Sequence, residues 1–334
     1  MRSRSGLGPA VAAVAVLGLT AGSLAACGSS GGGGGGSSSS GKTEELIVGT
    51  KSDDFYVSME CGAKQEAKKL GVKLSVTGPS DFTAPLQKPL IDAAQVTKPD
   101  ALLVAPTDDH VLDPDLTKVV KAGSKLIFVD TSSSNPALGL TRISSNNLAG
   151  GKLAADTLGK LLGGKGLVAV ISVKKGTSTT DARVQGFQQE MAAKYPGIKL
   201  LPEQNDDLDS VGAASSFIEG DISGHPSLAG AFAANVVTAE GAASGIAHAH
   251  KTGKVKLATF DADPPQMSMM HQGTVQLAIA QEPALEGADA VKQGLNAIEG
   301  KPVPKNIATP LIAITPKNMN DPKIKPFIYK SSCG

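Results

Sequence analysis

The sequence predicts an α/β fold built on doubly wound parallel sheets. Short apolar runs of strand length alternate with stretches of helical periodicity between residues 46 and 280. Repeated strand, helix and strand imply right-handed parallel crossovers, which place helices on both faces of a sheet. Glycines also stand where predicted helices end, at Gly71, Gly123 and Gly197. Without the leader and tether described next, roughly 290 residues remain, which is enough for two domains.

The first residues have the features of an export signal. Arg2 and Arg4 give a positive start, residues 9–21 are apolar and uncharged, and "LAAC" ends at Cys27. The apolar run is too short for a membrane-spanning helix, so we predict a cleaved signal over residues 1–26. A signal that ends in Leu-small-small-Cys resembles a bacterial lipobox, which implies lipid on Cys27. The alternative is ordinary signal cleavage, with Cys27 incidental.

A Gly/Ser-rich stretch follows the predicted cleavage site. Residues 28–42, "GSSGGGGGGSSSSGK", have no apolar side chain to bury and are typical of a flexible tether. We therefore predict a lipidated tether over residues 27–42. The protein is predicted to be extracytoplasmic, anchored as a lipoprotein to the outer face of the cell membrane. No apolar run beyond residue 26 approaches membrane-spanning length.

Two cysteines lie within the predicted globular part. Cys61 and Cys333 form an even pair in an exported protein and are therefore disulfide candidates. In its predicted helix Cys61 lies opposite the apolar face that contains Met59 and Ala63, where a partner can reach it. Two free thiols are the alternative, because pairing cannot be read from sequence alone.

Nine apolar runs are predicted strands, and stretches between them supply helices. The strands are predicted at residues 46–49, 72–76, 101–104, 126–129, 167–172, 198–201, 228–233, 255–260 and 275–280. The helices are predicted at residues 57–70, 149–162, 180–194 and 240–250. Residues 83–97 also have a helical pattern, but Pro85 and Pro89 weaken it or shift its start.

Polar or acidic residues follow seven of these strands. The seven positions, each a residue or a short stretch at a strand end, are Asp53, "VAPTDD", Asp130 with Thr131, "SVKKGTSTTDAR", Asn235, "TFDAD" and "IAQEP". A single polar residue at a strand end is usually a helix cap or turn residue. In doubly wound sheets, however, ligands bind beyond the carboxyl ends of the strands. Seven such positions in register therefore predict a binding site.

Charge and motifs argue against several classes of function. The formal net charge is +1 and there is no basic stripe, so nucleic acid is not an expected partner. Beyond residue 43 the sequence has neither a Gly-x-Ser-x-Gly elbow nor a Gly-x-x-x-x-Gly-Lys-Ser/Thr phosphate loop. The one match to each pattern, at residues 28–32 and 36–43, falls in the Gly/Ser-rich stretch, which has no apolar strand before it. We predict that the protein is not an enzyme and uses no cofactor.

No metal site is predicted either. His248 and His250 are two apart on a predicted helix and point to different faces. Residues 108–110, "DDH", have the pattern of a helix start. The acidic residues at 206, 207 and 209 are interpreted as a solvated turn and helix N-terminus.

Taken together, these stretches resemble the ribose-binding family of periplasmic sugar-binding proteins, the type I solute-binding proteins of ABC importers. The matching stretches, in family order from about residue 46 to residue 315, are "FYVSMECGAKQEAKKLG", "LLVAPTDD", "ISSNNLAGGKLAADTL", "GTSTTDARVQGFQQEM", "AFAANVVTAEGA", "LATFDADPPQMSMMHQGTVQLAIAQEP" and "KQGLNAIEGKPVP".

The resemblance implies two similar lobes joined by a three-strand hinge. The crossings are expected near residues 144–147, 281–283 and 310–311. The first lobe would contain residues 43–145 and 282–309, and the second residues 146–281 and 310–334. Ligand would bind in the cleft, and the lobes would close by hinge motion.

The resemblance also implies a set of ligand-binding residues. The family stacks a sugar ring between aromatic side chains and holds its hydroxyls with polar groups, which makes Phe55 and Tyr56 the expected stacking pair. The full expected set is Asp53, Phe55, Tyr56, Asp130, Thr131, Asp181, Arg183, Asn235, Asp261 and Gln281. The implied partners are a small sugar-like molecule and an ABC permease in the membrane, and the protein is expected to be a monomer.

The expected cleft departs from the family pattern in its charge. Thr131 and Asp181 stand where arginines are usual, and Asp53 stands where Asn is usual, although Arg183 is present. The cleft thus loses two arginines and gains two acids. Unpaired carboxylates in a closing cleft are costly, so something must neutralise them.

Two ways of neutralising these acids stay open. A cationic ligand, such as an amino sugar or another amine, would do so. With a neutral sugar or polyol, Arg183, Lys51 or Lys174 would have to turn inward. The sequence thus favours a lipid-anchored binding protein of an ABC importer, with a ligand sensor for a membrane receptor kinase as the alternative. An exported enzyme is disfavoured, because no nucleophile–base pair or metal set is present.

Overall fold

Two parallel sheets covered by helices form the part of the chain that the structure describes. The computed structural model describes residues 41–206 and 209–333. The strands are β1 (Thr43–Ile47), β2 (Lys73–Thr77), β3 (Ala101–Val104), β4 (Lys125–Val129), β5 (Thr141–Ser145), β6 (Lys165–Val173), β7 (Gly197–Leu200), β8 (Gln204–Asp206), β9 (Leu228–Ala233), β10 (Lys256–Phe260), β11 (Val275–Gln281), β12 (Asn306–Thr309) and β13 (Leu311–Ile314). The helices are α1 (Asp54–Leu70), α2 (Ala84–Thr97), α3 (Asp113–Lys121), α4 (Asn147–Leu161), α5 (Ser178–Lys194), α6 (Val211–Gly224), α7 (Val236–His248), α8 (Pro264–His271) and α9 (Pro283–Ile298), with a 3₁₀ helix at Pro322–Phe327.

Each sheet is the centre of one lobe. The first lobe has the strand order β12-β5-β4-β3-β1-β2, and the second has β13-β11-β10-β9-β6-β7, with β8 paired to β6. Among these strands the ladders are parallel except that of β13, which runs antiparallel to β11. The α/β fold class with two parallel-sheet lobes is therefore confirmed.

The chain changes lobe at three neighbouring places. It leaves the first sheet after β5 and enters α4, returns after β11 to enter α9, and crosses again between β12 and β13. The connecting residues are Asn146, Glu282 and Pro310. Three adjacent connections of this kind form a hinge about which two lobes can rotate.

Apolar strands with both faces buried explain why these sheets are parallel. In β4, Ile127 and Val129 pack into the core on one face of the sheet. Leu126 and Phe128 pack into the core on the other face. Continuous apolar runs are typical of strands covered by helices on both sides, whereas a sheet with one solvated face alternates polar and apolar residues.

Helix α1 begins and ends at the residues that its sequence indicates. Asp53 is the N-cap and its carboxylate accepts a 2.8 Å hydrogen bond from the Phe55 amide. Gly71 ends the helix in the left-handed conformation, with φ of 71°. Close packing against α9 depends on Gly62, where an added Cβ would collide with the carbonyl oxygen of Ala284. The first turn of α1 is thereby held at the edge of the cleft.

Several predicted elements differ from the structure. Helix α2 forms despite its two prolines, because Pro85 occupies the first turn, where an amide donor is not needed, and Pro89 is accommodated within the helix. Gly197 does not end a helix, since α5 ends at Lys194 with Tyr195 as its C-cap, and Gly197 opens β7. "DDH" precedes a turn, and α3 begins three residues later at Asp113.

The last residues depart from the predicted division into lobes. Residues 310–334 were assigned to the second lobe, and β13 does belong to its sheet. Cys333, however, is joined to Cys61 of α1 by a disulfide, and the Lys330 amide donates to Ser58 Oγ at 2.7 Å. The chain therefore returns to the first lobe at its end. None of the helices in the described ranges is long and apolar enough to cross a membrane.

Candidate functional site

The cleft is bounded by the same turn at the carboxyl end of one strand in each lobe. Asp130 follows β4 with φ of 62°, and Asp261 follows β10 with φ of 76°. The Asp130 amide donates to the Ile143 carbonyl at 2.7 Å, and the Asp261 amide donates to the Ile279 carbonyl at 2.8 Å. Left-handed backbone at a residue other than glycine is uncommon and clusters at functional sites. Both lobes thus present one carboxylate to the cleft in the same way.

Eight of the ten predicted ligand-binding residues line one cavity between the lobes. They are Asp53, Phe55, Tyr56, Asp130, Arg183, Asn235, Asp261 and Gln281. Residues separated by up to 228 positions in the chain, from Asp53 to Gln281, therefore face one space.

Tyr56 and Asp130 form the polar part of the first-lobe wall. The Tyr56 hydroxyl donates to Asp130 Oδ2 at 2.7 Å, and both side chains are buried. Burial and the Asp130 charge raise the pKa of Tyr56 well above its ordinary value, so the phenol stays protonated. One oxygen of Asp130 is thereby fixed by a donor.

The predicted stacking arrangement of Phe55 and Tyr56 is wrong in its geometry. Their ring centroids are 5.1 Å apart and their planes meet at 88°, so no sugar ring fits between them. Consecutive residues of a helix point in directions about 100° apart, which prevents two facing rings. Phe82 lines the cavity as well, and its ring lies nearly parallel to that of Tyr56, at 6.4 Å and 19°.

Arg183 is the one arginine or lysine among the residues that line the described cavity. It is only 3% exposed. Its Nε donates to Asn147 Oδ1 at 2.8 Å and its Nη1 to the Ala234 carbonyl at 2.9 Å. Nη1 also lies 3.6 Å from Asp261 Oδ2, and the guanidinium stacks 4.0 Å from the centre of the Phe260 ring. The cation is thus held rigidly next to a carboxylate.

Asp261 is oriented by two further donors. Gln281 Nε2 donates to its Oδ1 at 2.6 Å, and the Tyr329 hydroxyl donates to the same oxygen at 2.7 Å. Gln281 Oε1 and Thr177 Oγ1 are buried without a hydrogen-bond partner among the described residues. Both residues line the cavity. Buried polar atoms are normally satisfied, so these two are available to a bound molecule.

Burial shifts three acids of the cavity toward their neutral forms by raising their pKa values. Burial, with the Asp261 charge as the next cause, raises the pKa of Asp53 well above its ordinary value. Burial raises the pKa of Asp130 to about 6, although Arg183 opposes the shift. Burial also raises the pKa of Asp209 to about 6. One arginine shared among four aspartates does not compensate them all, which leaves the cavity acidic.

Thr131 and Asp181 are not among the residues that line this cavity. The Thr131 hydroxyl is engaged within the first lobe, where it donates to the Pro106 carbonyl at 2.8 Å. Asp181, in the first turn of α5, turns back and accepts from the Gly176 amide at 2.9 Å. Short polar side chains at a helix start are often used in this way to close the preceding turn. The structure therefore does not bring these two side chains to the cavity, and their contact with ligand stays a prediction.

The lysines considered for neutralising the cleft do not enter it. Lys51 is exposed. Lys174 lies at the rim, where its Nζ is 3.8 Å from Asp108 Oδ2 of the other lobe. Of the three basic residues that could neutralise the acids around a neutral sugar, Arg183 alone lines the cavity.

Sequence reasoning missed six residues that line the cavity: Phe82, Val173, Thr177, Thr179, Thr180 and Asp209. The three threonines belong to the quoted "GTSTTDAR" stretch, so its position after β6 was a usable signal. Asp209 was interpreted as part of a solvated turn, which is wrong. The three-residue strand β8 pairs with β6 and brings Asp209 to the cleft, where its Oδ1 accepts from Asn235 Nδ2 at 2.9 Å.

The metal and lipid predictions concern different parts of the chain. Within residues 41–206 and 209–333, no group of three or more His, Cys, Asp or Glu side chains is arranged to hold a metal ion. Cys27 and the predicted signal and tether up to residue 40 lie outside the described residues.

Comparison with known proteins identifies the family. The family model described as "Periplasmic binding protein domain" matches residues 45–302. The ribose import binding protein RbsB of Bacillus subtilis is 27% identical over 307 residues, 90% of this chain and 98% of that protein. The D-allose-binding periplasmic protein of Escherichia coli is 30% identical over 270 residues, which are 78% of this chain and 86% of that protein.

A solved structure supports the same assignment. An ABC transporter solute-binding protein from Agrobacterium vitis, bound with α-D-tagatopyranose, superposes with a TM-score of 0.84 at 37% identity. The match covers 86% of this chain and 99% of that one. These relatives are binding proteins and not enzymes, and this chain is not an enzyme. The chain belongs to the periplasmic binding protein family, as a ribose-binding-like solute-binding protein of type I.

Proposed function

We propose that this protein captures a sugar or sugar-like molecule in the interlobe cavity and delivers it to an ABC permease. The observation that carries the proposal is that polar and aromatic side chains from both lobes line one cavity. The named relatives bind ribose, D-allose or α-D-tagatopyranose, which supports a monosaccharide as the ligand class.

The lining has the groups that a sugar requires. Carboxylates of Asp130 and Asp261 accept hydrogen bonds from vicinal hydroxyls, and such charge-assisted bonds are about twice as strong as neutral ones. The free Gln281 Oε1 and Thr177 Oγ1 add two more hydrogen-bonding positions. Phe55 and Phe82 offer apolar surface to the C–H faces of a sugar ring. Contact of each of these residues with the ligand is part of the proposal.

Closure of the lobes would couple binding to delivery. In this structure the lobes touch directly, since the Asp109 amide donates to the Gly176 carbonyl at 3.0 Å. The Ser132 amide also donates to Ser178 Oγ at 3.0 Å. A ligand that contacts both lobes binds this closed form more tightly than an open one, and so shifts the population toward it. A permease can then distinguish loaded from empty protein by shape.

Membrane attachment through Cys27 is the second part of the proposal. Membership of the family implies an extracytoplasmic location. The lipobox-like "LAAC" and the Gly/Ser stretch that follows support a lipid anchor on a flexible tether. Replacement of Cys27 by Ser should release the protein from washed membranes, whereas retention in the membrane fraction would exclude lipid at this residue.

Calorimetry with isosteric variants tests the cavity assignment. Asp130→Asn and Asp261→Asn preserve the left-handed backbone, which Asn tolerates, and remove one charge each. We expect either substitution to weaken binding of the best sugar from a screen by roughly 10- to 100-fold. Asp181→Asn is the matched control, because Asp181 lies outside the cavity, and should bind as the unmodified protein does. Equal affinity in all three variants, or no binding of any sugar, would refute the proposal.

A cationic ligand is the second candidate, and the charge of the cavity favours it. Four aspartates share one arginine in the lining. Glucosamine against glucose, and galactosamine against galactose, are suitable probe pairs because each pair differs only in an amino group that replaces one hydroxyl. Tighter binding of the amino sugar that weakens in Asp209→Asn would support this candidate, and indifference to the amine would exclude it.

A role as a ligand sensor for a membrane receptor kinase is the remaining alternative. It uses the same cavity and the same closure, so the two roles differ only in the membrane partner. Uptake of labelled sugar by cells that lack this protein separates them: lost uptake supports the importer, and unchanged uptake with lost gene induction supports the sensor.

A further inference from the structure

The C-terminal tail, defined here as residues 328–333, joins the two lobes a fourth time. It follows the 3₁₀ helix, whose Ile324 is buried in the core of the second lobe. The Tyr329 amide donates to the Ala262 carbonyl of that lobe at 3.1 Å. Beyond Tyr329 the contacts are with α1 of the first lobe, and they end in the Cys61–Cys333 disulfide.

Tyr329 lies where the tail passes from one lobe to the other. It is only 3% exposed. Its hydroxyl donates to Asp261 Oδ1 of the second lobe at 2.7 Å. Its ring packs edge-on against Phe55 of the first lobe, with centroids 5.6 Å apart and planes at 71°. One side chain thus contacts a cavity residue from each lobe without lining the cavity itself.

We propose that Tyr329 is a positioning residue for ligand binding, held in place by the disulfide that ties the tail to α1. This inference rests on the proposed function of the cavity. Tyr329 and Gln281 together occupy Asp261 Oδ1, which leaves Oδ2 for Arg183 and for the ligand. The same residue fixes the orientation of the Phe55 ring through an edge contact.

Beyond Tyr329, whose ring packs on Phe55 of α1, the disulfide is the firmest tie between the tail and that helix. The other polar contacts there are the Lys330 amide to Ser58 Oγ at 2.7 Å and Ser331 Oγ to Asp54 Oδ2 at 2.8 Å, the second of them exposed. Exposed hydrogen bonds contribute little net free energy, so a short chain end held by them alone would fray. A covalent link keeps Tyr329 docked while the lobes open and close.

Three variants separate positioning from ordinary structural support. Tyr329→Phe keeps the ring and removes the hydroxyl, and the double variant Cys61→Ser/Cys333→Ser releases the tail. Tyr195→Phe is the matched control, because the Tyr195 hydroxyl also donates to an aspartate, Asp156 Oδ1 at 2.8 Å, but outside the cavity. The measurements are the Kd for the best sugar of the screen and the Tm of the ligand-free protein.

We expect Tyr329→Phe to raise Kd roughly tenfold, since it removes one hydrogen bond to a charged group that the ligand uses. The double serine variant should raise Kd severalfold, and Tyr329→Phe should have a smaller effect in that background because the two changes act through one contact. Tyr195→Phe should lower Tm and leave Kd unchanged. A fall in Tm with unchanged Kd in Tyr329→Phe would overturn the inference.

A ligand-free measurement keeps this inference separate from the proposed function. If the unmodified protein binds no sugar, the proposed function fails. The Kd values of the variants can then not be compared either. Hydrogen exchange then decides the positioning role: Tyr329→Phe should accelerate exchange of the amides around Asp261 and Phe55, and Tyr195→Phe should not. Equal exchange in the three proteins would overturn the inference whatever the ligand.

Discussion

Glu286 makes the stability of this protein depend on pH through the hinge. It lies in the first turns of α9, fully buried. Its Oε1 accepts from Ser145 Oγ at 2.9 Å and from Thr309 Oγ1 at 2.8 Å. Those two residues end β5 and β12, next to the first and third crossings. Burial, with the Asp130 charge as the next cause, raises the pKa of Glu286 from 4.5 to about 8, although Arg183 opposes the shift.

The sign and size of the effect follow from proton linkage. Between pH 4.5 and pH 8 the folded protein holds the Glu286 proton and the unfolded chain releases it. The unfolded state then binds fewer protons, so the free energy of unfolding falls as pH rises through this window. Each pH unit above 4.5 costs about 1.4 kcal/mol, which amounts to roughly 3 kcal/mol at pH 7.

Glu286→Gln removes this cost because the amide is neutral at every pH. It keeps the oxygen that accepts from Ser145 and Thr309, and its NH₂ group replaces an oxygen that has no partner among the described residues. Urea unfolding between pH 4.5 and pH 8 measures the difference from the unmodified protein. We expect a gain of roughly 3 kcal/mol at pH 7 that disappears near pH 4.5.

Glu60→Gln on the partly exposed face of α1 is the control and should show no comparable gain at pH 7. A Glu286→Gln protein that is no more stable than the unmodified one at pH 7 would refute the reasoning. A gain that stays constant between pH 4.5 and pH 8 would refute it as well, because it would have another cause.

Two packing predictions follow from other buried contacts. Gly62→Ala should destabilise the protein by about 2 kcal/mol or more, because the added Cβ meets the rigid carbonyl of Ala284. Gly220→Ala in α6 is the control, since its added Cβ faces open space, and it should stabilise the protein by about 0.5 kcal/mol. Thermal unfolding measures both changes. Buried Gln87 donates hydrogen bonds to the carbonyls of Val48 and Ala105 and accepts one from the Thr107 amide. Gln87→Ala should therefore lower the free energy of unfolding in urea by about 2–3 kcal/mol, whereas Gln65→Ala on the exposed side of α1 should lower it little. Equal losses in the two variants would contradict this explanation.

The sequence was a good guide where the signal was local. Predicted strands at 101–104 and 228–233 coincide with β3 and β9, because buried parallel strands are continuous apolar runs between turns. Helix α1 begins at Asp54 and not at residue 57, since the cap at Asp53 extends it by one turn. The short β8, Gln-Asn-Asp, has no apolar signal and exists only through its pairing with β6.

The cavity shows the same division between local and tertiary information. Asp130 and Asp261 were found because each ends a buried strand at the ligand-binding edge of its sheet. Asp209 was missed because its position depends on β8 pairing across the sheet. Asp181 was misplaced because a carboxylate in a first helical turn can close that turn, as this one does on Gly176, and sequence does not say which contact wins.

The link between Cys61 and Cys333 also makes most of the protein a covalent ring. The two residues are 272 positions apart, so both lobes and all three hinge connections lie on the closed loop. A protease that nicks one exposed loop outside the cell cannot separate the fragments while this bond is intact. A nicked molecule would migrate as two pieces on a gel only after reduction, and until then its two lobes would remain covalently linked.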